Sequence, residues 1–93
     1  VLATEPENAF ALSRLAELEL GFGRDEASRG YLERALAVDP QNPYALAVSG
    51  YTELVHDDHG AAVRRFRQAI EADPSAALPR MGLGLALIRS GDL

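Results

Sequence analysis

The chain carries the stretch Ala35-Leu36-Ala37-Val38-Asp39-Pro40, and a close copy, Ala69-Ile70-Glu71-Ala72-Asp73-Pro74, follows 34 residues later. A weaker copy, Val1-Leu2-Ala3-Thr4-Glu5-Pro6, stands 34 residues earlier. Each copy ends in an acidic residue and a proline, at Pro6, Pro40 and Pro74. The residue before a proline is pushed out of helical geometry, so each proline predicts the end of a helix. Self-similarity at a constant period predicts a repeat architecture.

The period divides the 93 residues into one segment of repeats. Residues 1–8 correspond to the tail of a preceding repeat, 9–42 and 43–76 to two full repeats, and 77–93 to the first helix of a further one. The chain therefore begins and ends within a repeat. This predicts either a fragment of a longer array or ends that are covered by something outside the chain. Apolar residues at helical spacing predict two antiparallel helices per repeat, so the expected fold class is all-α.

Local signals place the helix ends. Asn42 is a preferred N-cap residue, and Pro43 suits the first position of a helix. Asp25 and Ser75 are predicted to cap the second and the last helix in the same way. The glycines on either side of Phe22 predict the end of the first helix, because glycine adopts the left-handed cap conformation at little cost.

Small residues recur at the same phase of the period and predict where helices pack closely together. The first helices carry Ala16, Gly50 and Gly84, the second helices carry Ser28 and Ala62, and the ends of the second helices carry Ala35 and Ala69.

These features resemble the tetratricopeptide repeat (TPR) family, whose unit is a helix-turn-helix of about 34 residues. The matching residues are Val48-Ser49-Gly50, Ala61-Ala62, Phe66, Ala69 and Asp73-Pro74, followed by Leu83-Gly84 and Gly91-Asp92-Leu93. Two positions differ from the family pattern, since Ser49 replaces a leucine and Asp57 replaces the turn glycine. The resemblance implies a right-handed α-solenoid of antiparallel helix pairs. The run 78–86 also resembles long bacterial envelope-associated arrays, so we expect a fragment of a bacterial-type array.

Composition narrows the possible functions. The net charge is −5, with 14 acidic residues against 9 basic ones. Nucleic-acid binding domains are usually basic, so no nucleic-acid partner is predicted, and Arg64, Arg65 and Arg67 are interpreted as a solvated outer face. No cysteine is present. No apolar run approaches the ~18 residues that a membrane span requires, so none is predicted.

The segment His56-Asp57-Asp58-His59 is the one cluster of metal-ligand residue types in the sequence. We interpret it as a solvated turn in which Asp58 caps a helix, and we predict no metal site. No nucleophile, base and orienting group stand together at useful spacing, and no glycine-rich phosphate loop follows a strand. The sequence therefore predicts no catalytic residue, no cofactor and no enzyme activity.

In the TPR family the first helix of each repeat lines the inside of the superhelix and meets the ligand. Carried onto this chain, the resemblance implies a groove lined mostly by apolar and aromatic side chains. Its residues are Phe10, Ser13, Glu17, Leu20, Tyr44, Ala47, Tyr51, Leu54, Leu78, Met81, Leu85 and Ile88. Glu17 is the only charge among them, and the Lys, Asn and Arg of the family's carboxylate clamp are absent. Such a groove suits an amphipathic helix or an extended apolar peptide.

Two functions remain open on the sequence. The first is a non-catalytic scaffold that presents this groove to a protein or peptide partner. The second is a structural spacer or self-assembling segment of a larger protein, which binds through its ends. The last helix is strongly apolar over Met81–Ile88, so self-association through the C-terminal helix is also predicted.

Overall fold

The computed structural model describes residues 8–91, and these form five α-helices and no strand. The helices are α1 (Ala9–Gly21), α2 (Asp25–Val38), α3 (Pro43–Val55), α4 (His59–Ala72) and α5 (Ala77–Ser90). The predicted helix stop at Pro6 lies outside the described residues. The fold is all-α, as the sequence predicts, and its shape is elongated, with extents of 50 × 28 × 17 Å.

The helix starts are partly those that the sequence predicts. Asn42 is the N-cap of α3, where its side chain accepts from the Ala45 amide at 2.9 Å, and Asp58 caps α4 through the Ala61 amide at 3.1 Å. The predictions for Asp25 and Ser75 are wrong. Asp25 is the first residue of α2 and its carboxylate faces His56 instead. Ser75 donates its hydroxyl to Asp73, so α5 begins with no side-chain cap.

One backbone conformation recurs with the period, in the turn that follows each first helix. Gly23, Asp57 and Gly91 have φ values of 77°, 59° and 80°. The left-handed region is costly for a residue with a Cβ, which explains why glycine occupies two of these positions. Asp57 adopts the same geometry at the third position, so the turn keeps its shape although its residue differs from the family's glycine.

In the two complete repeats the first helix packs on the second, α1 on α2 and α3 on α4, and α4 also packs on α5. Small side chains allow this approach. The predicted packing residues Ala16, Ser28, Ala35, Ala62 and Ala69 have no exposed surface. Larger side chains, with Leu46 and Phe66 the most buried, fill the remaining space between the helices.

Phe66 occupies the most crowded position of the interior. Its ring is fully buried on α4 and lies against Gly50 of α3 and Gly82 of α5. A Cβ at Gly50 would stand 2.6 Å from the ring, and a Cβ at Gly82 would also overlap it. The sequence predicts Gly84 as the packing glycine of α5, and a Cβ there meets nothing within 4 Å among the described residues. The close approach to α4 occurs two residues earlier, at Gly82.

Candidate functional site

The concave face of the molecule is a groove whose floor is α3 and whose walls are α1 and α5. Both α1 and α5 pack on α3, and they do not contact each other. The groove holds a cavity of about 470 Å³. Its lining residues are Glu17, Leu20 and Gly21 of α1, then Tyr44, Ala47, Val48, Tyr51, Leu54 and Val55 of α3, and Leu78, Leu85 and Arg89 of α5.

Two tyrosines tie the floor to its walls. The Tyr44 hydroxyl donates to the Glu17 carboxylate on α1, and the Tyr51 hydroxyl donates to the Leu78 carbonyl on α5 at 2.9 Å. Tyr44 also stacks against Phe10 with ring centroids 5.2 Å apart, and Tyr51 meets Phe66 edge-on at 4.9 Å. These contacts hold both rings in place.

The same surroundings keep the two hydroxyls neutral. Burial, and then the hydrogen bond and negative charge of Glu17, raise the pKa of Tyr44 above its ordinary value of 10.0. Burial alone raises the pKa of Tyr51. Loss of either proton would place a charge on a partly desolvated ring, so the floor carries neutral phenols at ordinary pH.

The cavity lining contains two charged side chains, one on each of the opposite walls. Glu17 stands on α1, with Arg14 at 4.0 Å on the same helix. Arg89 stands in the last turn of α5, where a cation interacts favourably with the helix dipole. The sequence predicts Glu17 as the only charge of the groove, so Arg89 is an addition that the structure makes.

The structure separates the predicted groove residues into three groups. Glu17, Leu20, Tyr44, Ala47, Tyr51, Leu54, Leu78 and Leu85 line the cavity. Phe10, Met81 and Ile88 are exposed outside this lining. Ser13 is fully buried and donates its hydroxyl to the Ala9 carbonyl at 2.7 Å, so its side chain does not face the groove and that prediction is wrong.

Sequence reasoning missed Gly21, Val48, Val55 and Arg89 in the lining. Three of these are spaced by the period, since Gly21, Val55 and Arg89 are 34 residues apart. That spacing was available in the sequence and places one residue from each first helix in a row across the groove.

A second cavity extends the groove toward the start of α3. Its volume is about 270 Å³, and it shares Tyr44, Ala47 and Leu78 with the first. Its apolar part is completed by Pro43, Ala76, Ala77 and Pro79, and Asp73 adds a carboxylate at its edge. The concave surface is therefore mainly apolar along the length of α3.

The histidine turn between α3 and α4 is organised by contacts within the fold. His56 Nε2 lies 3.0 Å from Asp25 Oδ2 of α2, and its Nδ1 lies 2.9 Å from the Thr52 carbonyl. His59 Nε2 lies 3.8 Å from Asp57. Within residues 8–91, no group of three His, Cys, Asp or Glu side chains is placed to hold a metal ion.

None of the five helices combines the length and the apolar character that crossing a membrane requires. A family model described as tetratricopeptide repeat matches residues 48–93. The match covers α4 and α5 with most of α3, the helices that contain Gly50, Phe66 and Gly82. No curated protein sequence matches the chain. Proteins with this repeat commonly mediate protein–protein interactions and are typically non-catalytic.

Proposed function

The chain is a tetratricopeptide repeat protein, and we propose that it is a non-catalytic scaffold whose groove between α1, α3 and α5 binds a peptide or helix of a partner protein. One observation carries the proposal. A cavity of about 470 Å³, lined mainly by apolar and aromatic side chains, lies open on the concave face. Cavities of this size and lining are typical of ligand sites.

The tyrosines make the groove suited to binding. Aromatic side chains provide much of the energy of protein interfaces. A ring that is already fixed loses little conformational entropy when a ligand covers it. Tyr44 and Tyr51 are held by hydrogen bonds to the two walls, so they meet both conditions.

The test begins with a random peptide library displayed on phage and selected against the purified chain. Selected peptides are then titrated against two leucine variants with matched exposure. Leu85 lines the groove and is 39% exposed, whereas Leu15 lies outside the lining and is 40% exposed. Leu85→Glu should weaken binding at least about tenfold, because a charge is buried beneath an apolar ligand. Leu15→Glu should leave affinity unchanged. Equal effects of the two substitutions would place the binding surface elsewhere.

A specific observation supports the second candidate function, self-association through α5. Met81 and Ile88 on this helix are 66% and 60% exposed and lie outside the groove lining. Exposed apolar side chains of this kind favour association. Light scattering on the chain and on a Met81→Glu, Ile88→Glu variant is the test. An oligomeric wild type together with a monomeric variant supports association through α5. A wild type that is monomeric at high concentration rules this association out.

A further inference from the structure

The two formal charges of the groove stand on walls that do not touch, and this limits what can fill the space between them. We propose that the groove selects an extended peptide segment with an apolar centre flanked by one basic and one acidic side chain. The basic side chain lies against Glu17 on α1 and the acidic one against Arg89 on α5. This inference rests on the proposed function and specifies its ligand.

The periodic rows of the groove support a ligand that crosses the helices. Gly21, Val55 and Arg89 form one row from α1 to α5, and Glu17, Tyr51 and Leu85 form the row one turn earlier. Each row is apolar between its ends. Glu17 and Arg89 end neighbouring rows, so a ligand that crosses obliquely from one row to the next meets Glu17 on one wall, an apolar floor, and Arg89 on the other wall.

Helix spacing gives the length of the segment. Packed helices lie about 8–10 Å apart, so α1 and α5, on either side of α3, are separated by at most about 20 Å. An extended chain covers about 3.3 Å per residue, so about five or six residues span this distance. A helix rises only about 1.5 Å per residue and would need more than two turns to cross, with charged side chains matched at both ends.

Both charges can accept a ligand. The contacts of Glu17 with Tyr44 and Arg14 go to the same oxygen, Oε1, so Oε2 can still accept a hydrogen bond from a ligand cation. The Arg14 contact spans 4.0 Å between exposed side chains and contributes little. Arg89 has no ion-pair partner within residues 8–91, and its guanidinium can bind a carboxylate through two hydrogen bonds.

The experiment uses three pools of fluorescent synthetic peptides with blocked ends. Every peptide has five central positions randomised among Leu, Phe and Tyr. One pool carries a Lys flank and an Asp flank in both orders, one carries two Lys flanks, and one carries two Asp flanks. Fluorescence anisotropy should show that the mixed pool binds about tenfold more tightly than either like-charged pool.

Charge reversal on one wall should change the preferred pool. Arg89→Glu makes both walls acidic and should favour the doubly basic pool, whereas Glu17→Lys should favour the doubly acidic pool. Arg64→Glu on α4, outside the groove lining, is the matched control and should leave the preference for the mixed pool unchanged.

The outcomes separate this inference from the proposed function. If the three pools bind equally and Leu85→Glu weakens them all, the groove binds peptides but does not select their charge, and the inference is wrong. If no pool binds, both the inference and the proposed function fall. A preference that follows the sign of residues 17 and 89 supports both.

Discussion

Substitution of Gly82 by alanine should destabilise the protein although alanine favours helices. Gly82 lies within α5, and a Cβ at this position would come closer than 3.0 Å to Phe66 ring carbons, a distance that real Cβ contacts essentially never show. The ring cannot move away, because Gly50 lies against it from α3 and Tyr51 packs on it at 4.9 Å. Phe66 itself is fully buried. The overlap must therefore be relieved by shifting α5 or by straining the ring.

Two opposing effects set the magnitude. Overpacking costs about 1–3 kcal/mol, and the severity of this overlap places Gly82→Ala at the upper end. Replacing glycine by alanine within a helix returns about 1 kcal/mol. The net loss of unfolding free energy is about 2 kcal/mol, which lowers the melting temperature of a chain this size by about 8–16 °C.

Thermal denaturation followed by circular dichroism measures this loss, with Gly84→Ala as the matched control. Gly84 lies on the same helix and its Cβ would meet nothing within 4 Å, so only the gain in helix propensity remains. Gly84→Ala should raise the melting temperature. A smaller side chain without a ring should relieve the overlap, so Gly82→Ala should cost less in a Phe66→Leu background. If Gly82→Ala melts at or above the wild type, the packing account is refuted.

Three further predictions concern the turns, the groove floor and the histidine turn. Asp57→Gly should raise the unfolding free energy by about 1 kcal/mol because φ is 59° there, and Gly23→Ala, at φ 77°, should lower it by a similar amount. Urea denaturation measures both changes, and no gain for Asp57→Gly would contradict the strain at that turn. Because the pKa of Tyr44 is raised in the folded protein, its contribution to stability is complete below pH 10 and is lost as the pH rises through the folded pKa. Tyr44→Phe should therefore flatten the alkaline decline in melting temperature, and an unchanged decline would show that other groups cause it. Zinc should leave the melting temperature unchanged, because His56 is already bonded within the fold, and a rise that disappears in His56→Ala would contradict this.

Features that depend on neighbouring residues could be predicted from the sequence alone. The Asn42-Pro43 pair predicts the start of α3, and Asp58 caps α4 as expected. The 34-residue period predicts the helical repeat and its small buried residues, including Ala35 and Ala69. These signals are readable because capping, glycine conformation and helical periodicity are short-range properties of the chain.

Other features were decided only when helices from different repeats came together. The period favours Gly84 as the packing glycine of α5, yet the ring of Phe66 meets Gly82, because the ring's position is set by how α4 lies between α3 and α5. Aspartate is a preferred N-cap residue, but the carboxylate of Asp25 contacts His56 instead, 31 positions away in the chain.

The groove combines both kinds of information. Its apolar rows follow from the period, whereas the burial of Ser13 and the placing of Arg89 opposite Glu17 depend on the distances between packed helices. A repeating sequence specifies which residues occupy equivalent places. Tertiary packing decides which of those places are closed by a neighbouring helix and which stay open to solvent, because that depends on side chains far apart in the sequence.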